Sequence, residues 1–277
     1  MSFGTAVASF VYEISWIRML SLVLGSATHS FELMLSAFIL GLALGSLWIR
    51  SRADRFREPI RALGLVQWAM GAFALATLPL YAASFGWLAT LLSTFARTDL
   101  GYVGFTAARY ALCLVIMLPA TFCAGMTLPL LTRTLLAAGR GERAIGAVYG
   151  WNTLGSIAGV IVGGLALIPL AGLKGTLLLG AGLDMAIGVV LLAWTTRGRR
   201  PTRRPALAAA AAAVLVVSVV GVSVRLDEGL LASGVFRSGK MPEAGRLETP
   251  FYRDGRTAPV SVQRGRDTGT LYLATNG

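Results

Sequence analysis

A chain of 277 residues that is 55% hydrophobic and only 14% charged, with a mean hydropathy of +0.69, lies outside the soluble range, where about a quarter of residues are charged. These proportions exclude an ordinary soluble domain and point to an integral membrane protein. The net charge of +12 does not signal nucleic acid, because the basic residues form short clusters between apolar stretches, where they set topology and meet anionic lipid.

A membrane span needs roughly 20 apolar residues, and seven stretches qualify, at about 5–27, 30–49, 62–83, 106–131, 144–170, 173–195 and 206–224. The first has no positive n-region and no small-residue cleavage site, so it reads as a retained anchor rather than a signal peptide. It holds Glu13 and Arg18, which stand about 140° apart on a helix and cannot be assumed to pair. His29, the only histidine, falls in the short loop that follows, with no Cys, Asp or His cluster to support a metal site. The second stretch carries Gly41 and Gly45. After the third, Gly86 to Phe95 is too short to span and reads as an interfacial helix in an outer loop.

The fourth stretch has Arg109 at its edge and is interrupted by Pro119 and Pro129, which predict a kink or a broken helix. Its Cys113 and Cys123 stand about 15 Å apart on a continuous helix, too far for a disulfide, and read as small packing residues. The fifth carries Gly155, Gly159 and Gly163 in four-residue steps, with Gly146 and Gly150 continuing the spacing before them. Such stripes let another backbone approach closely. They predict contacts within one bundle, with a homo-oligomer or a path lined by small residues as the alternatives. Asn152 and Thr153 are placed to hydrogen-bond across helices, and Asp184 lies in the sixth stretch. Ionisable groups at membrane depth cost several kcal/mol unless paired or wetted, so Glu13, Arg18, Arg109 and Asp184 are the candidate polar sites, with Asn152 beside them.

Thirteen basic residues fall on one side: Arg50, Arg52, Arg55, Arg57 and Arg61, then Arg133, Arg140 and Arg143, then Arg197, Arg199, Arg200, Arg203 and Arg204. The alternate loops offer Arg97 and Lys174, so the N-terminus is expected in the cytoplasm. The division is then a transmembrane helical domain over 1–224 and an extramembrane segment over 225–277. The stretch 206–224 is about half alanine and decides the side of that segment. If it spans, the segment is exported; if it lies along the membrane, the segment stays inside. Ala258 to Gln263 and Thr270 to Thr275 alternate as strands around a turn-rich link, which predicts a hairpin that is marginal alone. Such a hairpin is either poorly ordered or leans on the helical domain. The chain shows no glycine-rich nucleotide loop, no nucleophile elbow and no catalytic constellation.

Val11-Tyr12-Glu13-Ile14-Ser15-Trp16-Ile17-Arg18, Leu22 to Ser26 and Ala37 to Ser46 resemble the start of the membrane-fused spermidine synthase-like proteins of bacteria. Leu118 to Thr121, Gly125 to Leu131, Tyr149 to Gly155 and Gly172 to Leu177 are similar to later membrane motifs of that family, and Phe251 to Ala258, Val260 to Val262 and Asn276-Gly277 to the hairpin that opens its synthase domain. The resemblance covers nearly the whole chain. It implies a major-facilitator-like all-α helix bundle in the bacterial inner membrane, followed by an aminopropyltransferase-type Rossmann domain that uses decarboxylated S-adenosylmethionine. The family's nucleotide loop and acidic catalytic residues would fall beyond Gly277, so no catalytic or cofactor-binding residue is carried over. Asp54-Arg55 resembles the acidic-basic pair of the facilitator loop, but Arg50 and Arg57 stand near where its glycines fall. Three functions compete: the membrane domain of a polyamine-synthase-like enzyme, a transporter for a polyamine or another cation, and a structural module.

Overall fold

The computed structural model describes residues 1–96, 98–195, 204–242, 247–266 and 268–276. Long helices dominate it: α1 (Ser2–Leu24), α2 (Thr28–Arg50), α3 (Pro59–Thr94), α4 (Asp99–Ala137), α5 (Arg143–Val162), α6 (Ile168–Thr195) and α7 (Arg204–Ser223). Six helices are long and apolar enough to cross a membrane when the 53 residues Arg143–Thr195 count as one. That stretch is two legs. A π-turn at Gly163–Leu167 loosens it, and Gly172 ends the first leg with φ 69°, a backbone region open to glycine at little cost. Gly155, Gly159 and Gly163 lie against Phe3, Val7 and Val11, so the first leg runs parallel to α1; Gly180 meets Tyr12 while Ile187 meets Gly4, so the second runs back.

The other legs alternate in the same way. Thr5 bonds Gln67 and Trp16 bonds Thr77, which sets α3 parallel to α1; Ser36 meets Tyr110 and Ser46 meets Gly125, which sets α2 parallel to α4. Trp68 Nε1 donates to Ala209 O at 3.0 Å and Lys174 Nζ to Gly221 O at 2.6 Å, so α7 stands upright beside α3 and α6. It does not lie across one end. Glycines set the spacing between several legs: a Cβ on Gly45 would strike Phe122 O, one on Gly125 would strike Leu42 O, and one on Gly155 would strike Phe3 O.

The bundle therefore has two chemically different ends. One gathers Arg50 to Arg61, Arg133, Arg140, Arg143 and Arg204, while Arg197, Arg199, Arg200 and Arg203 lie outside the described residues. The other carries the short helices α8 (Glu228–Leu231) and α9 (Val235–Ser238) and an antiparallel sheet in the order β1 (Leu247–Asp254), β2 (Pro259–Gly265), β3 (Leu271–Thr275). Phe251 pairs with Val262, and Val262 with Leu273.

Four expectations are corrected. Gly86 to Phe95 is not a separate interfacial helix, because α3 continues to Thr94 with Phe85 and Leu88 packed into the core. The fourth span is not broken at its prolines: α4 runs unbroken through both. Pro129 leaves Gly125 O without its helical donor, and Ser46 Oγ of α2 donates to that oxygen at 2.8 Å instead. His29 sits in the first turn of α2, 3.3 Å from Glu32, rather than in a loop. The hairpin is a three-stranded sheet. Its extra strand, β1, contains Pro250, which cannot donate to a ladder, and the pairing slips there, between Glu248 and Phe251, on an edge strand.

Candidate functional site

The deepest polar cluster joins three helices. On α1, Thr5, Tyr12 and Trp16 are seven and four residues apart and share one face, which meets Gln67 and Thr77 of α3 and Asp184 of α6. Tyr12 Oη donates to Asp184 Oδ2 at 2.8 Å, and Gln67 Nε2 donates to Asp184 Oδ1 and Thr5 Oγ1, each at 2.9 Å. One turn along, Trp16 Nε1 donates to Thr77 Oγ1 at 3.0 Å. Asp184, Gln67 and Tyr12 are all buried. Each bond crosses between helices, so the cluster ties α1, α3 and α6 where apolar packing alone gives little register. Of these residues only Asp184 stands out as a candidate in the sequence. Gln67 carried a signal too, as the only amide in the apolar stretch 62–83.

A second cluster forms where the sheet meets the bundle. Gly172 breaks the helix, so the new leg begins with an unpaired N–H at Leu173. Asp254, at the end of β1, supplies the acceptor: its Oδ2 takes Leu173 N–H at 3.0 Å, and its Oδ1 accepts from Tyr252 Oη at 2.9 Å. Arg18 Nη1 donates to the neighbouring Gly255 O at 3.3 Å, and Gln263 Nε2 of β2 donates to Ala232 O at 2.6 Å. Burial, reinforced by the Asp254 charge, pushes the Tyr252 hydroxyl up from its ordinary range, which keeps it a donor. Beneath, Phe236 of α9 packs on Gly25 and Val235 is fully buried. The sheet leans on the helices through main-chain and side-chain bonds.

The remaining candidates fall elsewhere. Arg109 is buried at the sheet end, where Nη2 donates to Leu24 O at 3.0 Å and to Ser30 Oγ, with the guanidinium over the Phe105 ring. It closes the C-terminus of α1 onto the start of α2. Glu13 is half-buried, and its Oε2 is enclosed without a hydrogen-bond partner. Glu13 and Arg18 do not pair. Asn152 and Thr153 make no cross-helix hydrogen bond among the described residues; Thr153 Oγ1 turns back to Tyr149 O at 3.0 Å, because that side of α5 has no neighbouring helix. Gly41, Gly45, Gly155, Gly159 and Gly163 face helices of this chain, whereas Gly146 and Gly150 face open space. Cys113 and Cys123 are buried free thiols. Among the described residues no three His, Cys, Asp or Glu side chains converge on a metal position.

No family model matches the chain, and neither the curated proteins nor the solved structures contain a match to it. The reading of its function rests on its own geometry and on the resemblance given above.

Proposed function

We propose that the chain is a seven-span membrane protein whose role is to anchor the three-stranded sheet unit and hold it firmly at the face opposite its arginines. Loops rich in Lys and Arg stay in the cytoplasm, which makes the arginine end the cytoplasmic one and the sheet end external. The observation that carries the anchoring role is the Asp254 junction: β1 caps the first residue of a membrane leg, and Arg18 of another leg holds the next carbonyl. The sheet belongs to the end of the bundle and is not a tethered tail.

In this reading the chain is the membrane domain of a spermidine synthase-like protein of the bacterial inner membrane, with polyamine as the ligand class that the resemblance brings. Decarboxylated S-adenosylmethionine is a cytosolic cosubstrate, out of reach of an external sheet, so anchoring and export-side presentation stand ahead of cytosolic synthesis. The Asp184 cluster favours a structural role over cation transport, since Tyr12 and Gln67 already occupy both carboxylate oxygens. Paired reporters fused after Gly277, one active only in the cytoplasm and one only outside it, test the topology. Signal from the external reporter alone is expected. A cytoplasmic signal overturns the seven-span reading.

A further inference from the structure

A groove of about 750 Å³ opens at the arginine end between α1, α4 and α5, inside the roughly 300–1,000 Å³ range of small-ligand sites. Its walls are apolar: Leu131 and Leu135 of α4 face Val148 of α5, and Trp151 closes one side edge-on to Phe3, with ring centroids 6.3 Å apart. Its rim is cationic. Arg140 and Arg143 line it, and neither guanidinium meets a carboxylate among the described residues. Their neighbours at the same end are differently placed: Arg133 bridges Asp54 at 2.9 Å, Arg61 bridges Glu58 at 3.7 Å, and Arg52 stacks on Trp48. Glu142 lies between the two arginines in sequence but is not part of the lining. The N-terminus of α5 begins at Arg143 and adds the positive end of its dipole.

Two unpaired cations above an apolar trough match a molecule with an anionic head and a hydrocarbon tail. We infer that this groove is a binding site for one anionic phospholipid, with the phosphate between Arg140 and Arg143 and an acyl chain along Leu131, Leu135 and Val148. Trp151 then sits at headgroup depth, where interfacial aromatics collect, and basic pockets between helices on the cytoplasmic side are where anionic headgroups bind. A second groove at this end, lined by Arg57 and Arg61, includes Glu58 in its own lining and is the poorer match. The inference rests on the membrane reading above, with the arginine end in the cytoplasmic leaflet.

The test is native mass spectrometry of the full chain, purified in detergent and supplied with equal phosphatidylglycerol and phosphatidylcholine. Each arginine near an anionic lipid contributes about fivefold, so the wild type should retain one phosphatidylglycerol with a preference of about thirtyfold. Arg140→Gln with Arg143→Gln should remove the preference, Arg57→Gln with Arg61→Gln should keep it, and Ala147→Trp should lower retention by filling the trough without altering charge. Equal preference in the wild type and the Arg140→Gln/Arg143→Gln variant overturns the site, as does millimolar inorganic phosphate displacing the lipid, which would mark a free-anion site. A chain that fails to fractionate with membranes refutes the membrane reading itself, whereas a membrane-bound chain without lipid preference refutes only the groove.

Discussion

Replacing Asp254 by alanine should release the sheet from the bundle while leaving the helices in place. Two bonds are lost. The cap on Leu173 N–H is worth about 1 kcal/mol. The Tyr252 hydroxyl, left without its acceptor in a half-buried position, costs about another 1 kcal/mol. Together, about 2 kcal/mol shifts the docking equilibrium about thirtyfold. Limited trypsin digestion in detergent reads this shift, because Arg256 is exposed in the β1–β2 turn and cleavage follows the open population when reclosing is fast. Asp254→Ala should be cut about thirty times faster than wild type, and Asp254→Asn within about threefold of it, since asparagine caps about as well as aspartate. Helix content by circular dichroism should not change in either variant. An alanine variant cut at the wild-type rate would falsify the claim that this carboxylate holds the sheet.

Two further substitutions test the packing of the bundle. Gly155→Val drives its side chain into Phe3 O and should destabilise the bundle by about 1–3 kcal/mol, whereas Gly150→Ala meets open space and should be neutral or stabilising by up to about 1 kcal/mol. Thermal unfolding in detergent compares them, and an equal loss in both would discredit the close-approach account. Asp184→Leu leaves the Tyr12 and Gln67 donors unpaired in the core, about 1–3 kcal/mol each, while Asp184→Asn keeps partners for both. The leucine variant should therefore unfold at clearly lower temperature than the asparagine variant, and the reverse order would show that the charge, not the hydrogen bonding, is what the site uses.

The apolar runs placed the helical legs well, and the boundary between the fifth and sixth stretches falls at Gly172, because length and hydropathy are local properties. Partnerships were not legible. Tyr12 and Asp184 are 172 residues apart, and no local pattern says that their faces will meet. The prolines misled for a related reason: whether Pro129 breaks α4 depends on whether a hydroxyl from another helix reaches Gly125 O, and Ser46 does. β1 escaped notice because its proline and charges read as a loop, and only pairing with β2 makes the segment a strand. Asp254 could be read from the sequence as an acidic turn residue, but its use as a helix cap needed the break at Gly172 to be folded against it.

The last long helix, α7, has Ala206 as its only buried residue among those described, and its alanines give it little preference between crossing a bilayer and lying on one. During synthesis, that indifference leaves orientation open at the final step. The bonds from Trp68 to Ala209 and from Lys174 to Gly221 form only once α7 stands upright, and Asp254 reaches Leu173 only if the chain has emerged at the same end as that residue. A polypeptide that misses the crossing keeps an uncapped helix start and three strands with no helix end to dock against. Completion of the sheet thus acts as a checkpoint in biogenesis, leaving misoriented chains with loose strands for quality-control proteases to recognise.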